Sequence, residues 1–490
     1  MKNRLIALTA VLLALLSLGS ASTVYAEAPY RAYVYNEWDQ SKAAPNSYLP
    51  DKVYTGIDMG AGQLVEPQDL FVTSGNQIYL ADTGNNRIIV LDEKLKLLRV
   101  IDKLKLNGQE TALNQPTGLY VDASGVLYVA DKGNGRVLRI QGDYTVDLVI
   151  KELDHPLIPD SFVFKPVKVA ADSAGRIYVL SEGQYYGLMQ FDMNGGFTSY
   201  YGSNKVEVTP AVVLEAFWKS ILSKEQRESM VKLLPIEYSN LDIGTNDFVY
   251  TSTIVSKNSA EQIKKLNPLG NNVLKGQKGA VRFGDREYTM KQNVKVDTSF
   301  VDVAIDGDGF IAALDRTRGH VFEYDQEGNQ TAVFGALGNQ AGTFLQPAAV
   351  AYQNGDILVL DTGKKNVTRF TLSEYGQLVR EATVLYSQGL YEEAAGLWEQ
   401  VSKSNRNSNV AHVGIAKALE KEEQYGSAMK RYMLGAEHAG YSDAFAQVRI
   451  QTVREYLPVL MTVLALLAVI YYALKWARIR TAKKRKGARG

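Results

Sequence analysis

The stretch IYLADTGNNRIIVL, residues 78–91, returns almost unchanged as LYVADKGNGRVLRI, residues 127–140. The two copies begin 49 residues apart, and each joins two apolar, β-branched runs through a turn that contains Gly and Asn. Short apolar runs around such a turn are typical of a β-hairpin. A hairpin that recurs at a fixed spacing predicts a protein built from repeated structural units.

Six units can be aligned, most clearly on the proline that opens four of them. They begin at or near Pro67, Pro116, Pro166, Asn240, Val301 and Pro347. Each unit has the short strands of an antiparallel meander, which cannot bury both of its faces alone. Radial stacking of about 4–8 such sheets buries those faces, so we predict a mostly β fold, a six-bladed β-propeller.

The second turn of each unit recurs at a regular spacing and also has a common sequence motif. Residues 82–87 read Asp-Thr-Gly-Asn-Asn-Arg, residues 131–136 read Asp-Lys-Gly-Asn-Gly-Arg, and both resemble the signature of NHL-repeat propellers. Residues 361–366 keep part of the motif, whereas residues 181–186 depart from it; the resemblance covers roughly residues 52–372. We interpret the motif as structural, with Gly84 free to adopt positive φ and Asn85 able to bond its own backbone. The residues given this role are Asp82, Gly84, Asn85, Arg87, Asp131, Gly133, Asn134, Arg136, Asp361 and Gly363.

The two ends of the repeat predict how the ring closes. The last unit shows no fourth strand after residues 366–372, whereas the segment KVYTGIDMG from Lys52 precedes the first unit without a partner. We therefore predict that this N-terminal strand completes the sixth blade. Residues 27–51 are assigned to an N-terminal extension and residues 52–372 to the propeller.

Both ends of the chain carry signals for a membrane. Residues 1–26 have the layout of a secretory signal peptide, with a cleavage site after Val24-Tyr25-Ala26. Residues 457–474 form an uncharged stretch long enough to span a bilayer, and residues 475–490 add eight Lys and Arg. We predict a single-pass protein of the cell membrane, with the N-terminal domain extracellular and the basic tail cytoplasmic. The absence of cysteine suits a bacterium with a single membrane.

Residues 208–235 interrupt the period between the third and fourth units. Thr209 before Pro210, and Ser223 with Gln226, are helix N-terminal signals that predict a helical hairpin. Because connections between blades emerge at the mouth of the central channel, we expect this insert beside that mouth. It is either a lid over a binding site, or a packing element or a docking helix for a neighbouring protein.

Residues 373–456 change to a helical period and resemble two tetratricopeptide units of 34 residues. The repeated positions are Ala382, Leu385, Tyr391, Ala394 and Trp398, followed by Ala416, Leu419, Tyr425, Ala428 and Tyr432. A further helix is expected to start at Ser442 and to enter the span, with a kink at Pro458. The segment is either a stiff spacer or a docking surface for a peptide or protein.

Two classes of function follow. The first is a membrane-anchored extracytoplasmic binding or scaffolding protein that recognises a protein or carbohydrate partner, as an accessory to an envelope or transport system. The second is a surface-tethered lactonase or lyase with a metal in the propeller channel, because six-bladed relatives of the family include such enzymes. The candidate ligand- or partner-binding residues are Asp82, Asp131, Glu182, Tyr185, Tyr186, Arg318 and Trp218.

Nothing in the sequence requires catalysis, and we predict no cofactor, no metal and no catalytic residue. His155 and His320 are interpreted as surface or turn residues. Residues 306–309, Asp-Gly-Asp-Gly, are similar to a calcium loop, but they occupy the same turn as residues 122–125, so a hairpin explains them. The region between the two basic ends has a negative net charge, which argues against a nucleic-acid partner.

Overall fold

The structure is a computed structural model that describes residues 28–36, 38–151, 153–203, 237–254, 262–274, 283–287, 289–291 and 294–487. Within these ranges, six main sheets of antiparallel strands follow one another along the chain. Each sheet contacts the next one, and the last contacts the first. The prediction of a six-bladed β-propeller is therefore confirmed.

The described strands are grouped by blade. The N-terminal strands are β1 (Tyr33–Tyr35), β2 (Ser41–Ala43) and β3 (Tyr48–Thr55). Blade 1 contains β4 (Asp69–Val72), β5 (Ile78–Asp82), β6 (Arg87–Leu91) and β7 (Leu97–Ile101). A hairpin of β8 (Lys103–Leu106) and β9 (Gln109–Ala112) precedes blade 2, which contains β10 (Pro116–Val121), β11 (Leu127–Asp131), β12 (Arg136–Ile140) and β13 (Thr145–Ile150).

The second half of the ring follows the same plan. Blade 3 contains β14 (Pro166–Ala171), β15 (Ile177–Ser181), β16 (Leu188–Phe191) and β17 (Phe197–Tyr201), and blade 4 contains β18 (Tyr238–Ile243), β19 (Val249–Thr253) and β20 (Ile263–Leu266). A hairpin of β21 (Thr289–Lys291) and β22 (Val294–Val296) leads to blade 5, with β23 (Phe300–Ile305), β24 (Ile311–Asp315), β25 (Val321–Tyr324) and β26 (Gln330–Phe334). Blade 6 contains β27 (Pro347–Gln353), β28 (Asp356–Asp361), β29 (Asn366–Leu372) and the N-terminal β3.

The second strand of a blade is the most buried one. All residues of β11, β15, β19 and β24 are buried. Both faces of a blade pack on neighbouring blades, so the sequences of β11, β15 and β24 are apolar up to their last residue and do not alternate between apolar and polar residues. Between blades 1 and 2, for example, the core contains Ile88, Val90, Leu119, Val129 and Leu138.

Strand β3 completes the sixth blade, as predicted, and it pairs antiparallel with β29 over the whole length of both strands. The strand starts at Tyr48, earlier than the predicted Lys52, and it ends at Thr55. There Thr55 and Asp58 form a capping box that starts the short helix α1, Gly56–Met59. The second half of the predicted strand is therefore helical.

This closure decides where the chain leaves the propeller. In an antiparallel blade, the turns between strands 1 and 2 and between strands 3 and 4 lie at one end. The turn between strands 2 and 3 and the connection to the next blade lie at the other end. The fourth strand of blade 6 comes from the N-terminus, so the chain leaves after a third strand, β29. We call the exit side, with the 1–2 and 3–4 turns, the basal face, and the opposite side the apical face.

Five helices follow β29 in the described chain. They are α2 (Glu374–Ser387), α3 (Tyr391–Ser404), α4 (Asn409–Lys421), α5 (Tyr425–Leu434) and α6 (His438–Gly487). The repeated alanines of the sequence, Ala382, Ala394, Ala416 and Ala428, are completely buried between these helices. The tetratricopeptide-like assignment itself stays a prediction, but its repeated positions are the ones that hold the helices together.

One arginine fixes α2 to the basal face. The guanidinium of Arg380 donates to Oε1 of Glu323 at 2.5 Å, pairs with the carboxylate of Asp306, and lies over the ring of Phe310. The other oxygen of Asp306 accepts from the backbone N–H groups of Asp308 and Phe310. Residues 306–309 are therefore a hairpin turn, as predicted. The second carboxylate oxygen of Asp306 binds the guanidinium of Arg380.

Helix α6 continues from this segment into the predicted span. It begins at His438 rather than at Ser442, and Oε1 of Glu437 accepts from the backbone N–H of Ala439 at its first turn. It runs as one helix through Pro458, and the apolar side chains of residues 457–474 are exposed. The helix is long and apolar enough to cross a membrane. Its orientation and the cellular location stay predictions.

The predicted signal peptide, residues 1–26, and the insert, residues 208–235, lie outside the described residues. The chain on either side of the insert lies at the apical turn of blade 3. There the hydroxyl of Ser203 donates to the carbonyl of Tyr186, and the backbone N–H of Gly183 donates to Glu237 at 2.8 Å. Both neighbouring segments are thus on the face where the insert is expected.

Candidate functional site

The propeller channel opens on the apical face into a cavity of about 300 Å³. All six blades contribute to its wall, mainly through the first residues of their inner strands. The lining residues are Gln68, Asp69, Thr117, Val167, Lys168, Ser239, Asn240, Ile254, Val301, Arg316, Gln346, Pro347, Ala348 and Thr362. Most of these side chains carry hydroxyl, amide or charged groups, but apolar atoms contribute more of the accessible surface, so the cavity offers both kinds of contact to a ligand.

One column of the aligned repeat supplies most of the charges of the channel. This position is the second residue after the opening proline of a unit, or the equivalent residue where the proline is missing. In blades 2–6 a break in the strand register directly precedes this position. The column reads Asp69, Gly118, Lys168, Asn240, Asp302 and Ala349. Sequence reasoning missed these residues, although charges at a position inside an otherwise apolar strand were a visible signal.

Lys168 and Asp69 form a buried ion pair at this mouth. Nζ of Lys168 lies 2.6 Å from Oδ1 of Asp69, and Oδ2 of Asp69 accepts from the backbone N–H of Leu119 at 2.6 Å. The pair thus ties together the inner strands of blades 1, 2 and 3. Burial lowers the pKa of Lys168, but the charges of Asp69 and Asp302 outweigh burial and keep the pKa above its ordinary value. Lys168 is a permanent positive charge.

Asp242 and Asp302 are the other acids that act on Lys168. Asp302 accepts from the backbone N–H of Val350 at 2.6 Å, and Asp242 accepts from that of Ile305 at 2.9 Å, so each links its blade to the next one. Burial raises the pKa of Asp302 to about 7 and that of Asp242 to about 6, against the attraction of Lys168. The charge of the channel therefore changes near neutral pH.

These residues do not fit a divalent metal in the channel. The ammonium group of Lys168 already supplies the positive charge that Asp69, Asp242 and Asp302 face, and a dication among them would be repelled by it. The carboxylate oxygens are also engaged by backbone N–H groups of neighbouring blades.

Arg316 is the accessible charge at the rim of the mouth. Its backbone N–H donates to the carbonyl of Ser299, which fixes the turn, while its side chain is exposed and makes no ion pair with the described residues. Gln68, Ser239 and Gln346 stand around the same opening. An exposed guanidinium among hydroxyl and amide groups can bind carboxylate, phosphate or sugar oxygens.

The predicted motif residues Asp82 and Asp131 lie inside the apical turns and are completely buried. Oδ1 of Asp82 accepts from the backbone N–H of Val65, and Oδ2 accepts from Asn85 and, at 2.7 Å, from Nε of Arg87. Asp131 repeats these contacts with its own Asn134 and Arg136. No oxygen of either carboxylate faces solvent, so the contacts support the structural role and not ligand binding.

Two details of the predicted turn are wrong. The positive φ belongs to Asn86 and Gly135, two residues after Gly84 and Gly133. Gly84 is needed for close packing, since a Cβ there would lie 2.5 Å from Cγ1 of Val65 and 2.8 Å from its carbonyl oxygen. Asn85 bonds the Asp82 carboxylate and the carbonyl of Gln63 rather than its own backbone.

The same turn recurs in the other blades with substitutions. In blade 6, Asp361 accepts from the backbone N–H groups of Leu345, Gln346 and Gly363. Gly133 and Gly363 approach the preceding connection as closely as Gly84 does. In blade 5, Asp315 takes the position of Asp361, a copy that sequence reasoning missed. In blade 3, the hydroxyl of Ser181 accepts instead.

The blade 3 candidates are accessible. Glu182 forms an ion pair of 2.8 Å with Lys132 of blade 2, and both side chains are partly exposed. Tyr186 is 52% exposed and its ring lies 5.4 Å from that of Tyr200, while Tyr185 is half-buried. This turn is therefore an aromatic apical surface, and its role in binding a partner stays a prediction.

Arg318 is engaged in a cluster on blade 5, and Trp218 lies outside the described residues. The guanidinium of Arg318 lies 2.6 Å from Asp285, which also contacts His320 and Tyr33. Burial raises the pKa of Asp285, but the contacts with His320, Tyr33 and Arg318 outweigh burial and bring the pKa to about 2. Asp285, Asp315 and His320 stand close enough to share a metal ion. The Asp285 carboxylate is already paired with Arg318, and the Asp315 carboxylate already accepts from the backbone N–H groups of Ser299, Thr317 and Arg318.

One family model and several solved structures resemble this chain, and the family match agrees with the propeller fold. The NHL repeat family matches residues 113–140, and no curated protein matches the sequence. Among solved structures, virginiamycin B lyase from Staphylococcus aureus is 10% identical with a TM-score of 0.41, covering 66% of this chain and 100% of its own. A gluconolactonase from Xanthomonas campestris is 10% identical with a TM-score of 0.38, covering 68% of this chain and 99% of its own. Residues 113–140 of the chain thus match an NHL repeat.

Proposed function

We propose that this protein is a membrane-anchored extracytoplasmic binding protein that presents the apical mouth of its propeller to a polar protein or carbohydrate partner. One observation carries the proposal. The helices that lead into the apolar helix α6 are fixed to the basal face through buried Arg380, and the channel mouth opens on the opposite, apical face. In this arrangement α6 crosses the cell membrane, the propeller lies outside, and the protein serves an envelope or transport system.

The chemistry of the mouth supports a polar partner. Arg316 offers a guanidinium at the rim, the deeper Lys168 is already paired, and the exposed Tyr186 offers a ring for stacking. These groups can hold the oxygens and the flat faces of a sugar, or the acidic side chains of a protein. They include no nucleophile with an adjacent base in the described part of the channel.

The alternative of a metal-dependent lactonase or lyase has less support. The acids of the channel face Lys168 instead of a vacant cation position, and this ammonium would have to be displaced or neutralised before a dication could bind. Thermal melting of the protein before and after chelation distinguishes the two functions. A stoichiometric ion whose removal lowers the melting temperature would support the enzyme.

The binding proposal can be tested by site-directed crosslinking, because the chain has no cysteine. A photoreactive maleimide is attached to Arg316→Cys at the mouth, and in a matched variant to Ala123→Cys, an exposed position in a basal turn of blade 2. We expect a defined adduct from the Arg316 position in native membranes and none from Ala123. Digestion with a protease or with glycosidases then tells a protein adduct from a carbohydrate adduct.

Equal adducts from the two positions would mean that the mouth is not the recognition surface. An absence of adducts from the Arg316 position, with normal labelling of the cysteine, would also contradict the proposal. Both results are readable because each variant differs from the natural chain at one exposed residue.

A further inference from the structure

On the apical face, the residue that directly follows the second strand of a blade occupies an equivalent position in all six blades. We call this position the rim position. Its occupants in blades 1 to 6 are Thr83, Lys132, Glu182, Ile254, Arg316 and Thr362. The last three of them line the channel cavity. Because the strands around this position repeat from blade to blade, a comparison of its six side chains shows where the ring departs from its symmetry.

Four of the six side chains at the rim position are engaged between blades. The hydroxyls of Thr83 and Thr362 each donate to the carbonyl of the opening proline of the next blade around the ring. Lys132 and Glu182 form an ion pair of 2.8 Å between blades 2 and 3. These four side chains therefore help to hold neighbouring blades together.

The other two occupants, Ile254 and Arg316, stand on the neighbouring blades 4 and 5. Ile254 is an aliphatic side chain that is 39% exposed at the end of a completely buried strand. Arg316 is exposed as well, and its guanidinium makes no ion pair with the described residues. Two adjacent blades thus present an apolar side chain and an unpaired cation to the same cavity.

The rest of the cavity wall agrees with this combination. Apolar atoms contribute more of its accessible surface than polar atoms do, and Val301 and Ala348 are among the partly buried residues of the wall. Lys168 is the second cation that lines the cavity, but it is already paired with Asp69 at 2.6 Å. A ligand in the described mouth therefore meets one unpaired positive charge on a wall that is largely apolar.

A carboxylate attached to a hydrocarbon group matches such a wall. A carboxylate carries one charge and two oxygens, which a single guanidinium can bind with two parallel hydrogen bonds. A phosphate group brings more charge and more oxygens than one guanidinium satisfies. A neutral sugar would leave the charge of Arg316 without a counter-charge, and it would cover Ile254 with hydroxyl groups. A hydrocarbon group instead removes the exposed surface of Ile254 from water.

We propose that the apical mouth binds an apolar carboxylate, whose charged group pairs with Arg316 and whose hydrocarbon part packs on Ile254. The inference rests on the function proposed above, because it names the chemistry that the mouth recognises. Two sources carry this chemistry: the C-terminal apolar residue of a partner protein, and a free organic acid.

The test is calorimetric titration of the full-length protein in lipid nanodiscs, with empty nanodiscs as the blank. The probe is acetyl-Gly-Gly-Leu with a free C-terminal carboxylate. Its C-terminal amide lacks the charge, acetyl-Gly-Gly-Gly lacks the hydrocarbon group, and isocaproate is the free acid that corresponds to the leucine side chain. We expect saturable binding of the leucine peptide and binding at least tenfold weaker for its amide. Tighter binding of the peptide than of isocaproate identifies a protein C-terminus as the source, and equal binding of the two identifies a small acid.

Three substitutions locate the site. Arg316→Gln should weaken binding of the leucine peptide about tenfold to hundredfold, as expected for the loss of charge-assisted hydrogen bonds. Ile254→Asn should weaken it about threefold to tenfold through the lost apolar contact. Lys165→Gln is the matched control, because it removes an exposed cation of the apical face that does not line the cavity, and it should leave the affinity unchanged.

The proposal is overturned if neither the leucine peptide nor isocaproate binds, or if the peptide and its amide bind equally. It is also overturned if the glycine peptide binds as well as the leucine peptide. Equal affinities of Arg316→Gln and Lys165→Gln would contradict the role of the guanidinium.

A crosslinking experiment separates failure of this inference from failure of the proposed function. A photoreactive maleimide is attached to Gln346→Cys, an exposed position of the mouth that leaves Arg316 in place. We expect its adduct in native membranes to be stronger than that from Arg316→Cys and to decrease when Arg316→Gln is added. An adduct that persists undiminished with Arg316→Gln overturns the inference and leaves the mouth as a recognition surface. The absence of an adduct from both cysteines overturns the proposed function as well.

Discussion

At the scale of single residues, the apical turns show why a glycine can be required without an unusual φ. Gly84 packs against the connection from the preceding blade, and its backbone N–H donates to the carbonyl of Val65 at 2.8 Å. A side chain would enter the space of Val65. The residue is thus selected by the distance between two backbone segments.

Gly84→Ala should therefore destabilise the propeller. A Cβ at this position must displace backbone, and we expect a loss of about 1–3 kcal/mol in the free energy of unfolding, as for other overpacked sites. Denaturant unfolding followed by tryptophan fluorescence measures it. Gly142→Ala is the matched control, since it has open space around it, and should be neutral. Equal stability of the two variants would refute the packing role.

The buried acids of the channel predict a pH dependence. The folded-state pKa of Asp302 is raised to about 7, so its stabilising contribution is complete below its unfolded pKa near 4 and is lost as the pH rises through 7. Asp242, raised to about 6, acts in the same direction, while Lys168 stays charged near them. Stability from these acids should fall between pH 5 and pH 8.

Asp302→Asn cannot titrate, so it should flatten this slope. The denaturation midpoints of the natural protein and of the variant are compared at pH 5, 6, 7 and 8. Asp160→Asn, at an exposed position, serves as the control and should keep the slope of the natural protein. A slope that is unchanged in Asp302→Asn would show that this carboxyl is ionised throughout the range.

At the scale of elements, the docking of α2 depends on an ion cluster that is almost excluded from water. Arg380 is 8% exposed, Glu323 is 1% exposed, and the hydroxyl of Tyr48 donates to the same Glu323 at 2.7 Å. Tyr48 belongs to β3 and Glu323 to β25. Strand β3, which closes the ring, and helix α2, which follows the last strand of the ring, therefore both contact Glu323.

Arg380→Met should separate the helices from the propeller. The change leaves Glu323 and Asp306 buried without their partner, and loss of one member of such a cluster typically costs about 3–5 kcal/mol. We expect faster proteolysis near residues 372–374 and a lower melting temperature. Arg431→Met removes a partly exposed pair with Glu399 and should cost under about 1 kcal/mol. Similar protease resistance of the two variants would contradict the role of Arg380.

At the scale of the whole molecule, the two ends of the propeller are unequal. The basal face holds the helices and the path to α6, and the apical face holds the channel mouth and the neighbouring segments of the insert. If α6 crosses the membrane, this asymmetry turns the mouth outward. The asymmetry follows from the closure of the ring by a single N-terminal strand.

The predicted topology can be measured with single cysteines in this cysteine-free chain. A membrane-impermeant maleimide should label Ala123→Cys on the propeller in intact cells. Ala488→Cys in the basic tail should react only after the membrane is permeabilised, because the positive charges keep the tail in the cytoplasm. Labelling of the tail in intact cells would reverse the proposed orientation and exclude an extracellular propeller.

The sequence by itself determined the blade number, the closure by the N-terminal strand and the apolar helix. These features depend on local sequence patterns. Turn residues and strand periodicity repeat along the chain, and the long uncharged run stands alone. The same patterns located the repeated alanines of the helices. They did not fix the details of the turn, because the reason for Gly84 lies in a segment nearly 20 residues earlier in the chain.

Only the tertiary structure brought Lys168 to Asp69, and Arg380 to Asp306 and Glu323. The partners in these groups are separated by 57 residues or more, and they meet because the ring and the helices are folded against each other. Ion pairs and cavities depend on distances in space. The spacing of residues along the sequence does not determine these distances. The channel mouth and the docking of α2 on the basal face are therefore properties of the folded molecule.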